Sequence, residues 1–236
     1  MTKHLPYELI TFDCYGTLID WETGIRSAVE RTAAARGLKV DAAKLVERYI
    51  QVERTIEQGG YRKYREVQAL AMKVLFDELG ASLSDREASS LSNSLPRWKP
   101  FPEAARVLKA LKRAGYRLAV LSNVDDLPLK KSIARIGVRF DRLVSSEHVR
   151  SYKPRTKHWE RAIAATRVPK ARILHVAASL IHDIIPAKTL GLACAWINRG
   201  GRKPFSGAKP NHSFGDLAPL IPLLTPPKKA RRPRRK

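Results

Sequence analysis

The chain has 236 residues, an apolar content of 44% and a formal charge of +23. That length can bury a full core, as one domain or as one domain carrying an insertion, and no apolar run reaches the ~18 residues that would span a bilayer. Only two cysteines, Cys14 and Cys194, are present, which argues against a disulfide framework or a structural zinc site and predicts a reducing, cytoplasmic setting.

The N-terminus, MTKHLPYELI, has no long apolar core of the signal-peptide kind and runs into the first element. Residues 7–13, YELITFD, predict a strand ending at Asp13. From about 22 to 94 the pattern is helical. TGIRSAVERTAAARGL, AAKLVERYIQVERTIEQ and YREVQALAMKVLFDELG carry apolar residues at three- and four-residue spacing, with Gly37, Gly59-Gly60 and Gly80 as stops. FPEAARVLKALKRAG predicts an amphipathic helix ended by Gly115, and YRLAVLSN the next strand.

The order then alternates. Helix LPLKKSIARIG, strand FDRLVSS, helix TKHWERAIAAT, strand RILHVAAS, helix IIPAKTLG and strand LACAWIN follow in turn. Such alternation predicts an α/β fold, a doubly wound parallel sheet whose chemistry sits at the carboxyl ends of its strands. Those ends carry Asp13 with Thr17, then Ser122 and Asn123, then Lys153, then Ser179 and Asp183. Singly, each is a helix cap or a solvated side chain. Together they bring carboxylates, a hydroxyl/amide pair and an ammonium to one edge.

The last eleven residues, PPKKARRPRRK, hold seven of the basic side chains and no acid, which leaves +16 on the rest of the chain. A proline-broken run of like charge predicts a disordered tail over 226–236. It reads as a solubilising segment, with weak nonspecific attraction to nucleic acid or to an anionic membrane surface as the other reading. The basic body suits an anionic substrate.

FDCYGTLID, LSN, YKP (with Lys153) and HVAASLIHD resemble, in order and spacing, the four motifs of the haloacid dehalogenase superfamily. The resemblance implies a Rossmann-like core over 1–20 and 99–225, a helical cap inserted at 21–98, and Asp13 as a covalent nucleophile. Phosphatases of the superfamily have an acid where Tyr15 stands and Gly-Asp where Ala177-Ala178 stand. A phenol of pKa ~10 is a poor replacement for that acid, and the reduced acidic set is a poor magnesium site.

DCYGTL instead looks like the branch that hydrolyses 2-haloalkanoic acids through an aspartyl ester, with no metal and no other cofactor. By that resemblance Lys153 keeps Asp13 ionised, Thr17 and Ser122 orient carboxylates, Asn123 contacts the departing halide and Asp183 serves the hydrolytic water. By the same resemblance VERYIQVE puts Arg48 at the substrate carboxylate, with Arg54 and Arg62 as rivals. Tyr15, Trp21 and Trp159 are apolar walls or simply core. His182 is a proton carrier or, more simply, a satisfied structural histidine.

Trp159, Leu180 and Ile181 depart from the branch, which puts the substrate range in doubt. The resemblance leaves a homodimer open and implies no membrane partner. Two alternatives stand beside this reading: a magnesium-dependent phosphatase, and a non-catalytic scaffold with a nucleic-acid-binding tail.

Overall fold

The computed structural model describes residues 5–204 and 209–225, so the basic run 226–236 lies outside the described residues. Six parallel strands form one sheet: β1 (Leu9–Phe12), β2 (Arg117–Ser122), β3 (Arg142–Ser145), β4 (Ile173–Ala177), β5 (Ala193–Ile197) and β6 (His212–Phe214), in the order β3-β2-β1-β4-β5-β6. The chain grows outwards from β1 on both sides, so the first strand lies between β2 and β4. Its carboxyl end is where the two halves of the sheet diverge, the usual place for a crevice.

Successive side chains in a strand point to opposite faces. Ile10, Phe12, Leu118, Val120, Leu174 and Val176 enter one apolar cluster. Leu9, Ala119, Leu121, Ile173 and Ala177 enter the other. Strands buried on both faces read as continuous apolar runs, as those of a covered parallel sheet do. The helices α6 (Ala104–Ala114) and α7 (Asp126–Ile136) cover the first face through Val107, Leu108, Leu111, Leu129 and Ile133. The helices α9 (Lys157–Thr166) and α10 (Ile185–Thr189) cover the second through Trp159, Ala162 and Ala187.

Between β1 and α6 the chain is helical: α1 (Trp21–Ala35), α2 (Ala42–Gln58), α3 (Tyr64–Asp77), α4 (Asp85–Ala88) and α5 (Ser90–Ser94). Among the described residues no strand lies in this block, which is the inserted cap. Asp20 and Asp41 cap α1 and α2 by accepting backbone N–H bonds. Helix α3 has no side-chain cap of its own. The short helices α8 (Ser146–Val149) and α11 (Leu220–Leu224) complete the fold. No helix among the described residues is long and apolar enough to cross a membrane. Cys14 and Cys194 are both buried free thiols.

Candidate active site

Strand β1 delivers Asp13 to the carboxyl edge of the sheet, and its backbone N–H still bonds Val176 O of β4 at 3.0 Å. The turn that follows needs Gly16, at φ +98, where a Cβ would stand 2.6 Å from the Trp21 indole nitrogen. This turn brings Thr17 back over the aspartate. Thr17 Oγ1 donates to Asp13 Oδ2 at 2.7 Å and accepts from Ala178 N at 2.9 Å, tying the first motif to the loop after β4.

Lys153 arrives from the loop after α8. Its Nζ donates to Asp13 Oδ1 at 2.8 Å, Asp183 Oδ1 at 2.6 Å and Leu121 O at 3.1 Å. Its three N–H bonds are thereby used, and its side chain is 2% exposed. Burial works against this ammonium, but Asp13 and Asp183 outweigh it and push its pKa up. Burial raises Asp13, while the Lys153 charge and the Thr17 bond pull it back. Against its own burial, Asp183 is held at about 2 by Lys153 and by a bond from His175.

The remaining motif residues serve the scaffold around this triad. Asn123 Oδ1 accepts from Lys153 N at 2.7 Å and its Nδ2 donates to Lys153 O at 3.2 Å, fixing the lysine's backbone. Ser122 Oγ accepts from Val124 N at 3.3 Å within its own turn, so the structure does not bring it onto a carboxylate. Ser179 caps the turn that carries Asp183, accepting from His182 N at 3.1 Å, and does not reach Asp13. His182 Nδ1 lies 3.2 Å from Ser179 Oγ. Burial lowers its pKa to about 4, so the ring is neutral at neutral pH.

Tyr15 is partly buried, its hydroxyl 2.8 Å from Ser132 Oγ and its ring edge-on to Trp98. Burial raises its pKa well above the usual phenol value, and its hydroxyl is turned to α7 rather than to the carboxylates.

A cavity of about 170 Å³ opens between α2 and the motif loops, lined by Arg54, Glu57, Tyr152, Lys153, Arg155 and His182 among others. Asp13, 7% exposed, is not itself one of the lining residues but is bonded to Lys153, which is. Two expectations need correction here. Arg48 is not at the cavity: its Nε and Nη2 donate to Glu78 of the loop after α3 at 2.9 and 2.6 Å, on the outer surface. Six residues of helix turn it about 120° away from Arg54, which does face the cavity. Trp159 is not a wall of the cavity either. It is 1% exposed, in the core beneath β4, edge-on to His175. Of the other residues considered, Arg62 gives its backbone carbonyl to the Tyr152 hydroxyl at 2.7 Å. Trp21 packs over Gly16.

Several residues of the site carry no motif signature. Glu57 reaches from α2 to accept from Asn123 Nδ2 at 3.3 Å. Glu53, one turn earlier, accepts from the hydroxyls of Tyr49 and Tyr64, both at 2.8 Å. Burial pushes Glu57 well above the usual carboxylate range, and the nearby Glu53 adds to it. Acids at i and i+4 on the inner side of a helix are the sequence signal for this pair. His175 is another such residue, a fully buried histidine inside the apolar strand ILHVA. Among the described residues no group of three or more His, Cys, Asp or Glu side chains could hold a metal ion.

A parallel α/β core with an inserted helical block holds a lysine between two carboxylates at the carboxyl edge of its sheet, an arrangement suited to hydrolytic chemistry. A family model described as haloacid dehalogenase-like hydrolase matches residues 7–191, and the chain belongs to that family. Among curated relatives it is 30% identical over 196 residues to haloacetate dehalogenase H-2 of Moraxella sp. (strain B), covering 82% of this chain and 87% of that one. It is 33% identical over 200 residues to (S)-2-haloacid dehalogenase of Pseudomonas sp. (strain YL), covering 81% and 83%. The solved L-2-haloacid dehalogenase of Xanthobacter autotrophicus shares the fold, with a TM-score of 0.80 at 22% identity, over 92% of this chain and 98% of that one.

Proposed function

We propose that the chain hydrolyses the carbon–halogen bond of short 2-haloalkanoic acids, without a metal, through an ester on Asp13. One observation carries the reading: the Lys153 ammonium bridges Asp13 and Asp183 at 2.8 and 2.6 Å, so a protein cation supplies the charge that supports both carboxylates. The relatives named above, a haloacetate and a 2-haloacid dehalogenase, agree with it. A cavity of about 170 Å³ suits a molecule of few heavy atoms, being smaller than the ~300 Å³ or more of sites for drug-sized ligands.

Asp13 attacks the halogen-bearing carbon from the side opposite the halogen, an O–C bond forms as the C–halogen bond breaks, and halide leaves with its electron pair. Water held by Asp183 then attacks the ester carbonyl. One water proton passes to Asp183 and on to solvent, the ester bond between the Asp13 carbonyl carbon and the alkoxy oxygen breaks, and the departing alkoxide takes the second water proton, leaving a 2-hydroxy acid and the Asp13 carboxylate. Arg54, at the cavity, is the partner for the substrate carboxylate.

The test is halide and phosphate release from a panel of 2-haloacids and phosphate esters, with and without excess chelator. Halide release that survives chelation is expected. Magnesium-dependent phosphate release, with no halide from any 2-haloacid, would replace this reading with a phosphatase.

A further inference from the structure

We infer that Thr11 and His175 form a positioning pair that sets the orientation of Asp183 for the hydrolysis of the ester. The inference rests on the reading that Asp183 serves the water step, and deepens it.

The pair is built by strand register. Thr11 of β1 and His175 of β4 are direct partners across the two central parallel strands, so both side chains leave the sheet on the face covered by α9 and α10. Thr11 Oγ1 lies 2.8 Å from His175 Nδ1 and 3.5 Å from Leu174 O. The Asp183 carboxylate can only accept, so Nε2, 3.1 Å from Asp183 Oδ1, is the donor of that bond, while the Thr11 hydroxyl holds the ring at its other nitrogen. Both residues are buried, and the Trp159 ring stands edge-on to the imidazole at 5.2 Å between centroids. The imidazole is therefore held at both nitrogens and packed on one side.

What the pair does follows from which oxygen it touches. Lys153 Nζ and His175 Nε2 both donate to Asp183 Oδ1. Among the described residues Oδ2 receives no hydrogen bond from protein, so it is the oxygen left to accept from water. The backbone beneath is a π turn, Leu180–Ile184, closed by Ile184 N to Ser179 O at 3.1 Å. This wider turn carries Asp183 back under the sheet edge, where His175 meets it. Without Nε2–H, Asp183 keeps one donor, Lys153, which it shares with Asp13. The carboxylate can then rotate and exchange its two oxygens.

The nucleophile is held separately. Asp13 Oδ1 is bound by Lys153 and Oδ2 by Thr17, and neither of these bonds involves His175. Loss of the pair should spare ester formation and slow ester hydrolysis. A merely structural histidine would slow both or neither.

Rapid-quench turnover of a 2-haloacid by the full chain separates the steps. For His175→Phe we expect a halide burst at the wild-type rate, then steady turnover lower on the order of 10²-fold, the scale of a misplaced catalytic group. The Asp13 ester should accumulate as an added mass on the intact protein. His175→Gln, which keeps an N–H near Nε2, should recover part of the second step. Thr11→Val is close to isosteric and guards against a variant that does not fold; it should show the same split, more weakly. Equal slowing of burst and steady state, or wild-type turnover in His175→Phe, would overturn the inference. If the wild-type chain forms no ester and releases no halide, the dehalogenase reading itself has failed, and the pair loses the step assigned to it.

Discussion

Glu57 accepts a hydrogen bond from Asn123 at 3.3 Å, a contact between the cap helix α2 and the loop that follows the second strand. It puts a cap carboxyl group beside the residue that also fixes Lys153. Glu53, Arg54 and Lys153 are the other charged groups acting on it, and burial raises its pKa first of all. A folded-state pKa above the unfolded ~4.3 means that folding takes up a proton. The stability it brings is complete below that unfolded value and is lost as pH rises through the folded one. Glu57→Gln removes this loss. The melting temperature of the variant, measured against wild type, should rise as pH climbs above the unfolded ~4.3 and level off once Glu57 ionises in the folded protein. A constant difference would mean that Glu57 ionises normally.

Asp125 supplies the cap that α3 lacks. Its Oδ1 accepts from Tyr64 N at 2.9 Å and its Oδ2 from Arg65 N at 3.0 Å, although it belongs to the loop after β2. A carboxylate bonded to two helix N-terminal amides is a charge-assisted cap. Asp125→Ala should cost about 2 kcal/mol in denaturant unfolding, near the top of the range for cap removal. Asp41→Ala, which removes an exposed cap on α2, should cost about 1 kcal/mol or less.

The choice between two arginines is also measurable. Arg54→Ala should raise KM for a 2-haloacid roughly 10-fold or more, the worth of a hydrogen bond to a charged group, with less effect on kcat. Arg48→Ala should leave KM unchanged, since its partner is Glu78 on the outer surface. The reverse pattern would return the carboxylate to Arg48.

Much of the fold and of the charged edge is legible in the sequence itself. The strands β1, β2 and β4 show in the sequence as apolar runs before motif residues, and four ordered motifs locate the charged edge. What escaped was whatever depends on side-chain direction. The family resemblance points to Arg48, but the turn of α2 puts Arg54 at the cavity, on the side declared by Glu53 and Glu57. Periodicity alone does not tell which face of α9 meets the sheet, so Trp159 reads equally as wall or core. A polar residue within an apolar strand, His175, shows its purpose only once the register sets it beside Thr11. Strand β6 escaped because it is three residues long and partly exposed.

Lys153 stands between two carboxylates, and its removal should be the most costly change short of the nucleophile. Lys153→Ala leaves Asp13 and Asp183 facing each other without a cation. Turnover should fall on the order of 10²-fold or more, as when preorganised charge stabilisation is removed. In wild type, the depressed pKa of Asp183, about 2, contributes stability that is present above the unfolded ~3.9 and lost as pH falls through the folded value. That acid-side loss of stability should be much reduced in Lys153→Ala. An unchanged acid limb in the stability curve would show that Lys153 does not set the charge of Asp183.

The most direct measurement is a single turnover of a 2-haloacid in heavy-oxygen water, with enzyme in excess, followed by peptide mass analysis. Water that attacks the ester carbonyl leaves its oxygen in the enzyme. The label should therefore appear in Asp13, the product of that first turnover should be unlabelled, and Asp13→Asn should give neither label nor halide. Label found in the 2-hydroxy acid on the first turnover, with Asp13 unlabelled, would mean direct attack of water on the substrate carbon and would contradict the covalent route.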